Sequence, residues 1–148
     1  MRLTENIAYL AGLIIGDGNL SKSDYLVRIV DENKEFIEIV TNLIEKEFNK
    51  KPKIYFDKFN NSFVCYTHSK EIWNFFTNEL HIPSGNKSRI ATVPQEIIGS
   101  NEKMKKAFLS GIFDAEGSSY LQKIFIILTD ILEFKSKCIT VNSFRKYP

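Results

Sequence analysis

Two stretches of the chain, LAGLIIGDG at residues 10–18 and LSGIFDAEG at residues 109–117, share one layout: an apolar run with a glycine third, closed by an acid and a glycine. An apolar helix that stops at glycine is ordinary, but two matched copies describe a paired device. Gly12 and Gly16 are four apart, as are Gly111 and Ala115, so each helix presents small residues on one face and permits close approach of another backbone. Packed side by side in parallel, the two helices would bring Asp17 and Glu116 to one end. A helix C-terminus already carries about half a negative charge, so two such ends with two carboxylates repel unless a cation lies between them. Oxygen donors from few carboxylates suit Mg²⁺, which keeps several waters and takes phosphate oxygens. Phosphodiester hydrolysis is the chemistry such a site serves.

The remaining sequence limits the alternatives. With 43% hydrophobic residues, 12 of its 148 residues being Phe, the chain has the material for a real core, which excludes a disordered protein. Lys and Arg exceed Asp and Glu by only 20 to 18, a balance that identifies no partner. Cys65 and Cys138 have no CxxC spacing, and a reduced cytoplasmic chain is the economical reading. Glu5 interrupts the first apolar run and no small-residue cleavage site follows, so no secretory signal is expected. No stretch approaches the roughly 20 apolar residues of a membrane span. His68 and His81 lack metal-ligand spacing.

Thr4 is the expected cap of a first helix running to the glycines at 16 and 18. YLVRIV at 25–30 reads as a strand, and Asp31 as the cap of a helix bearing Phe36, Ile37, Val40, Leu43, Ile44 and Phe48. KIYFDK and SFVCYTH flank FNN as a hairpin, and a third helix follows Ser69. The residue pattern therefore predicts the order α, β, α, β, β, α. Residues 82–100, rich in Pro, Gly, Ser and basic side chains, read as a connection rather than a packed element. A helix over 101–114 restarts the pattern, followed by a strand, LQKIFIIL, and a short helix, DILEFKSK.

The two motifs resemble the signatures of the LAGLIDADG, or dodecapeptide, homing endonucleases. The first departs from that name at Ile15 and Gly16, and the second keeps Leu109, Gly111, Asp114, Ala115 and Gly117. The resemblance implies an α+β fold of αββαββα repeats, with the motif helices at their interface and antiparallel sheets forming a saddle over double-stranded DNA. On this chain the first repeat would occupy residues 1–81, a linker 82–100, and a truncated second repeat 101–148. The resemblance further implies a metal set of Asp17, Glu116, Gly16 and Ala115 around Mg²⁺, with Asp17 and Glu116 catalytic. Lys87, by its place in SGNKSR, would be the catalytic basic residue that supports the attacking water or the transition-state charge; a solvated loop lysine is the other reading.

DNA reading would fall to the strand faces, since a two-stranded ribbon enters the major groove. Arg28, Lys53, Tyr55, Lys58, Tyr66 and His68 are the candidates, each with the alternative of a solvated strand residue, and the pattern leaves the face open. Lys50, Lys51 and Lys53 read either as phosphate ligands or as a charged turn. The expected function is site-specific cleavage of double-stranded DNA. The shortened second unit leaves three accounts: completion by a partner chain, a degenerate remnant, or a DNA-binding regulator without cleavage. LQKIFIIL has no local hairpin partner, so its open edge leads to the expectation of either self-association or marginal solubility.

Overall fold

The computed structural model describes residues 2–85 and 93–116. Its first helix, α1 (Glu5–Asp17), begins where expected: Thr4 is extended, and its Oγ1 accepts from the Ile7 amide at 3.1 Å. The same hydroxyl donates to Glu47 Oε2 at 3.0 Å, and Asn6 Nδ2 donates to Glu47 Oε1 at 2.9 Å. Glu47 ends α2 (Lys34–Phe48), where a negative charge opposes its own helix dipole; placed at the start of α1, it meets a favourable one. Ile7, Ala8, Leu10, Ala11, Leu13, Ile14 and Ile15 are all buried, so α1 is apolar all round and must be covered on more than one side.

A four-stranded antiparallel sheet covers one side, built from β1 (Asn19–Ser21), β2 (Leu26–Asp31), β3 (Lys53–Asp57) and β4 (Ser62–His68) in the order β1-β2-β4-β3. β1 is not among the expected strands: its three residues alternate, but so short a run follows the helix end too closely to stand out. The second strand starts at Leu26 rather than Tyr25: Tyr25 has φ +53°, outside any strand conformation, and its ring meets Trp73 edge-on at 5.4 Å. Asp31 does not cap α2. It closes the strand and accepts the Asn33 amide at 2.8 Å, and Asn33 is the cap, accepting from Phe36. The β3–β4 hairpin is fixed by Asp57, which accepts the amides of Phe59 and Asn60 and the side-chain nitrogen of Asn60, while Asn61 takes φ +50°.

Ser69 caps α3 (Lys70–Asn74), which continues as a π-helical turn, Phe75–Glu79, closed by the Leu80 amide on the Phe75 carbonyl. The connection expected over 82–100 is in part packed structure. Ile82, Val93 and Ile97 are buried, and α4 (Gln95–Ile98) lies within it, because three apolar residues among polar ones suffice to anchor a short turn of helix to the core. Asn101 Oδ1 then accepts from Met104 at the start of α5 (Glu102–Glu116).

α5 covers the other side of α1. A Cβ on Gly12 would overlap the Phe108 carbonyl and stand 2.9 Å from the Ile112 nitrogen. One on Gly111 would overlap the Tyr9 carbonyl and stand 2.9 Å from the Leu13 nitrogen. The contact is reciprocal, each glycine filling the other helix's groove, and only glycine fits at either place. Phe108, Leu109 and Ile112 of α5 thereby join the core. The strand and helix expected after Gly117 lie outside the described residues, and so does Cys138.

Candidate nucleic-acid interface and acid pair

Residues paired across an antiparallel ladder share a face of the sheet, and alternate residues of each strand belong to it. One face carries Leu20, Val27, Ile29 and Cys65 into the helical core. The other carries a row running Asn19, Arg28, Tyr66, Lys53, flanked by rows containing Ser21, Leu26 and His68 on one side and Val30, Val64 and Tyr55 on the other. Five of the six residues expected to meet DNA thus share one face: Arg28, Lys53, Tyr55, Tyr66 and His68. Lys58 does not lie on it. It sits exposed in the hairpin turn.

The face is ordered by its own side chains. Tyr55, Tyr66 and His68 form a chain of edge-on rings, 5.5 Å and 5.8 Å between successive centroids. His68 Nδ1 lies 3.1 Å from the Asp24 carbonyl and 3.5 Å from its carboxylate. An open pocket of about 200 Å³ is lined by Lys51, Lys53, Tyr66, Thr67 and His68. Lys50 is committed elsewhere: its Nζ meets Ser69 at 3.2 Å and Glu71 at 3.1 Å, so the lysine cluster divides, with Lys51 and Lys53 on the pocket. Val64 is 1% exposed yet lies outside the core cluster, covered on the side of the sheet opposite the helices. Beside it, Arg28 Nε and Ser62 Oγ are buried without a hydrogen-bond partner. At the hairpin end, Asp57 is held below the usual carboxylate range, first by the Asn60 side chain and, among weaker causes, by the charge of Arg28.

The helix pair supplies the second part. Asp17 and Glu116 close α1 and α5, each five residues beyond the glycine at the crossing. Asp17 is exposed, and Gly16 and Ala115 are half-buried. The end of α1 offers only oxygen donors: the Asp17 carboxylate and last-turn carbonyls, Gly16's among them, whose i+4 amides lie beyond the helix. Such donors suit a hard cation that retains waters, as Mg²⁺ does. Among the described residues no group of three or more His, Cys, Asp and Glu converges on a metal position. Lys87 and the side chain of Glu116 lie outside the described residues.

Between the helices, Tyr9 Oη donates to Asp114 Oδ2 at 2.6 Å. Burial, and then the neighbouring Asp114 carboxylate, push the Tyr9 phenol far above its ordinary value, with Asp31 adding to the effect. Asp114 stands where the first motif has Ile15, so this bond has no counterpart in the other half of the pair.

Residues 4–79, from the cap of α1 through the π-helical turn, match the model of the LAGLIDADG-like domain. The chain belongs to the LAGLIDADG homing endonuclease family. It is 30% identical over 141 residues to homing endonuclease I-DmoI of Desulfurococcus mucosus, covering 85% of this chain and 66% of that protein. An uncharacterized protein of Methanocaldococcus jannaschii is 30% identical over 125 residues, 81% of this chain and 44% of the relative. Among solved structures, I-DmoI in complex with DNA and Mn superposes with a TM-score of 0.59 at 24% identity, over 87% of this chain and 76% of that one. The αββαββα order of this family member, with β1 restored, is the arrangement of those I-DmoI structures. Described residues of this LAGLIDADG chain form no helix long and apolar enough to cross a membrane.

Sequence reasoning missed Asn19 and Ser21 of β1, which face the same way as Arg28; the polar–apolar–polar order Asn19-Leu20-Ser21 was the available signal. It also missed the Tyr9–Asp114 bond, for which no local pattern exists.

Proposed function

We propose that this chain is a site-specific endonuclease of homing type, hydrolysing phosphodiester bonds of double-stranded DNA with a divalent metal. The observation that carries the reading is the reciprocal glycine crossing of α1 and α5, two helices that each end in an acid. Asp17 and Glu116, with Gly16 and Ala115 beside them, are the residues that would hold Mg²⁺. When bound, the ion supplies Lewis-acid charge to the scissile phosphate. The open sheet face supports a DNA partner, because its basic and aromatic side chains lie in rows across four strands while Leu20, Val27, Ile29 and Cys65 of the opposite face enter the core. In this reading Lys51, Lys53 and His68 hold backbone phosphate while the acids meet the strand to be cut. The solved I-DmoI structures include complexes with target DNA in the presence of Mn and of Mg.

The test is a cleavage assay on duplex DNA joining the sequences that flank the gene, in Mg²⁺. The chain should cut at one position, and Asp17→Asn should abolish cutting while retaining binding. Full activity in Asp17→Asn removes Asp17 from the mechanism. Binding without cutting in any divalent metal favours the regulator instead.

A further inference from the structure

We propose that Arg28 is the guanine-reading side chain of the open sheet face, an inference that rests on the DNA-binding reading above. β2 is an interior strand, so Arg28 stands in the middle of the row from Asn19 to Lys53 rather than at its rim. Its Nε is buried and makes no hydrogen bond. The side chain as a whole is half-buried, and neither terminal nitrogen is among the buried unpartnered atoms of the described residues. With Nε buried, the terminal pair is the part of the guanidinium left to a ligand, and its two N–H donors form a fork. That is the geometry that meets O6 and N7 of guanine in the major groove.

The footing of the side chain is built rather than incidental. Val64, one row over on the same face, is buried, so the surface around the arginine stem is packed rather than open. Tyr66, paired directly with Arg28, is braced edge-on by Tyr55. Asp57 feels the guanidinium charge from the hairpin end. An arginine so placed loses little further freedom on binding, and its fork distinguishes bases where a lysine's point charge cannot. The pocket lysines differ in each respect: Lys51 and Lys53 are exposed, stand at the rim, and have the freedom suited to phosphate.

The experiment is selection from a fully randomised duplex library in EDTA, where bound DNA is not cut, with the wild-type chain, Arg28→Met, Arg28→Lys and Lys51→Ala. Arg28→Met keeps an unbranched apolar stem of similar length, with retention of the fold checked by its denaturation midpoint, and Arg28→Lys keeps the charge. The wild type should enrich a motif containing a guanine preferred about tenfold or more over other bases. Both Arg28 variants should lose that preference and retain the rest of the motif. Lys51→Ala should keep the motif, weaken all sequences alike, and lower the salt dependence by about one counterion. If Arg28→Lys retains the guanine, or Arg28→Met only weakens every sequence equally, Arg28 is a phosphate contact and the inference fails. If the wild type enriches nothing, the DNA-binding reading fails with it.

Discussion

The phenol of Tyr9 and the carboxylate of Asp114, 105 residues apart in sequence, meet at 2.6 Å between the two motif helices. The bond joins the first turns of α1 to the last turns of α5, where both partners are half-buried. A hydrogen bond to a charged acceptor contributes about 1.5–3 kcal/mol. Tyr9→Phe should therefore destabilise the fold by roughly that amount, read by chemical denaturation through Trp73, the single tryptophan, which is buried.

The same phenol predicts an alkaline limit. Its folded value lies above the ordinary 10.0, so its contribution is fully present below that pH and is lost as pH rises through the folded value. Ultraviolet titration should show a phenol that stays protonated well above 10.0 until unfolding releases it. Tyr9→Phe should remove that late step; a titration curve unchanged apart from amplitude would place the late phenol elsewhere.

The glycine crossing predicts a sharp asymmetry among glycines. Gly12→Ala or Gly111→Ala must push the helices apart along their length, at a cost of several kcal/mol, about the upper range for single substitutions. At Gly99 the nearest atom to a new Cβ is the Gln95 carbonyl at 3.4 Å, so Gly99→Ala should change stability by less than about 0.5 kcal/mol. The double variant Gly12→Ala, Gly111→Ala should cost less than the sum of the singles, because one separation of the helices accommodates both methyl groups. Strict additivity in denaturation midpoints would contradict a shared contact.

Much of this arrangement was legible because it is local. Thr4 and Ser69 cap their helices by rules that need only neighbouring residues, and the apolar spacing of α2 declares its buried face. Where two residues of the same chemistry compete, the sequence does not decide: Asp31 and Asn33 both suit a cap, and the extent of β2 selects the second. The small residues of the motifs announced a close helix contact, but which glycine meets which groove depends on the register between distant segments. Likewise, the alternation in β2, β3 and β4 grouped their residues into faces, whereas bringing Arg28, Tyr66 and Lys53 into one row required the pairing register.

The hairpin turn should respond to acid. Asp57 has a lowered folded value, so its bonds to Phe59 and Asn60 are fully present above the ordinary 3.8 and are lost as pH falls through the folded value. Amide resonances of Phe59 and Asn60 should titrate together with a midpoint under 3.8. Asp57→Ala should abolish that transition and weaken the Asp57–Ser62 end of the ladder while leaving β2–β4 pairing intact. Titration of those amides above 3.8 would assign the turn to another group.

For Lys87, proposed to act in the chemistry, Lys87→Met should lower kcat at saturating DNA far more than it raises Kd, the signature of an interaction made chiefly in the transition state. Equal losses in both would make it a phosphate ligand.

Because α1 is apolar on every side, its synthesis has a timetable. The ribosome completes α1 at Asp17 and does not begin its covering helix until Glu102, an interval of roughly five to fifteen seconds at ordinary elongation rates. Over that span the nascent chain can assemble the sheet against one flank of α1 while the groove meant for Phe108 and Ile112 stays open to water. The emerging first repeat therefore carries the kind of apolar surface that chaperones shield, and slowing translation between the two motifs should prolong its exposure to aggregation.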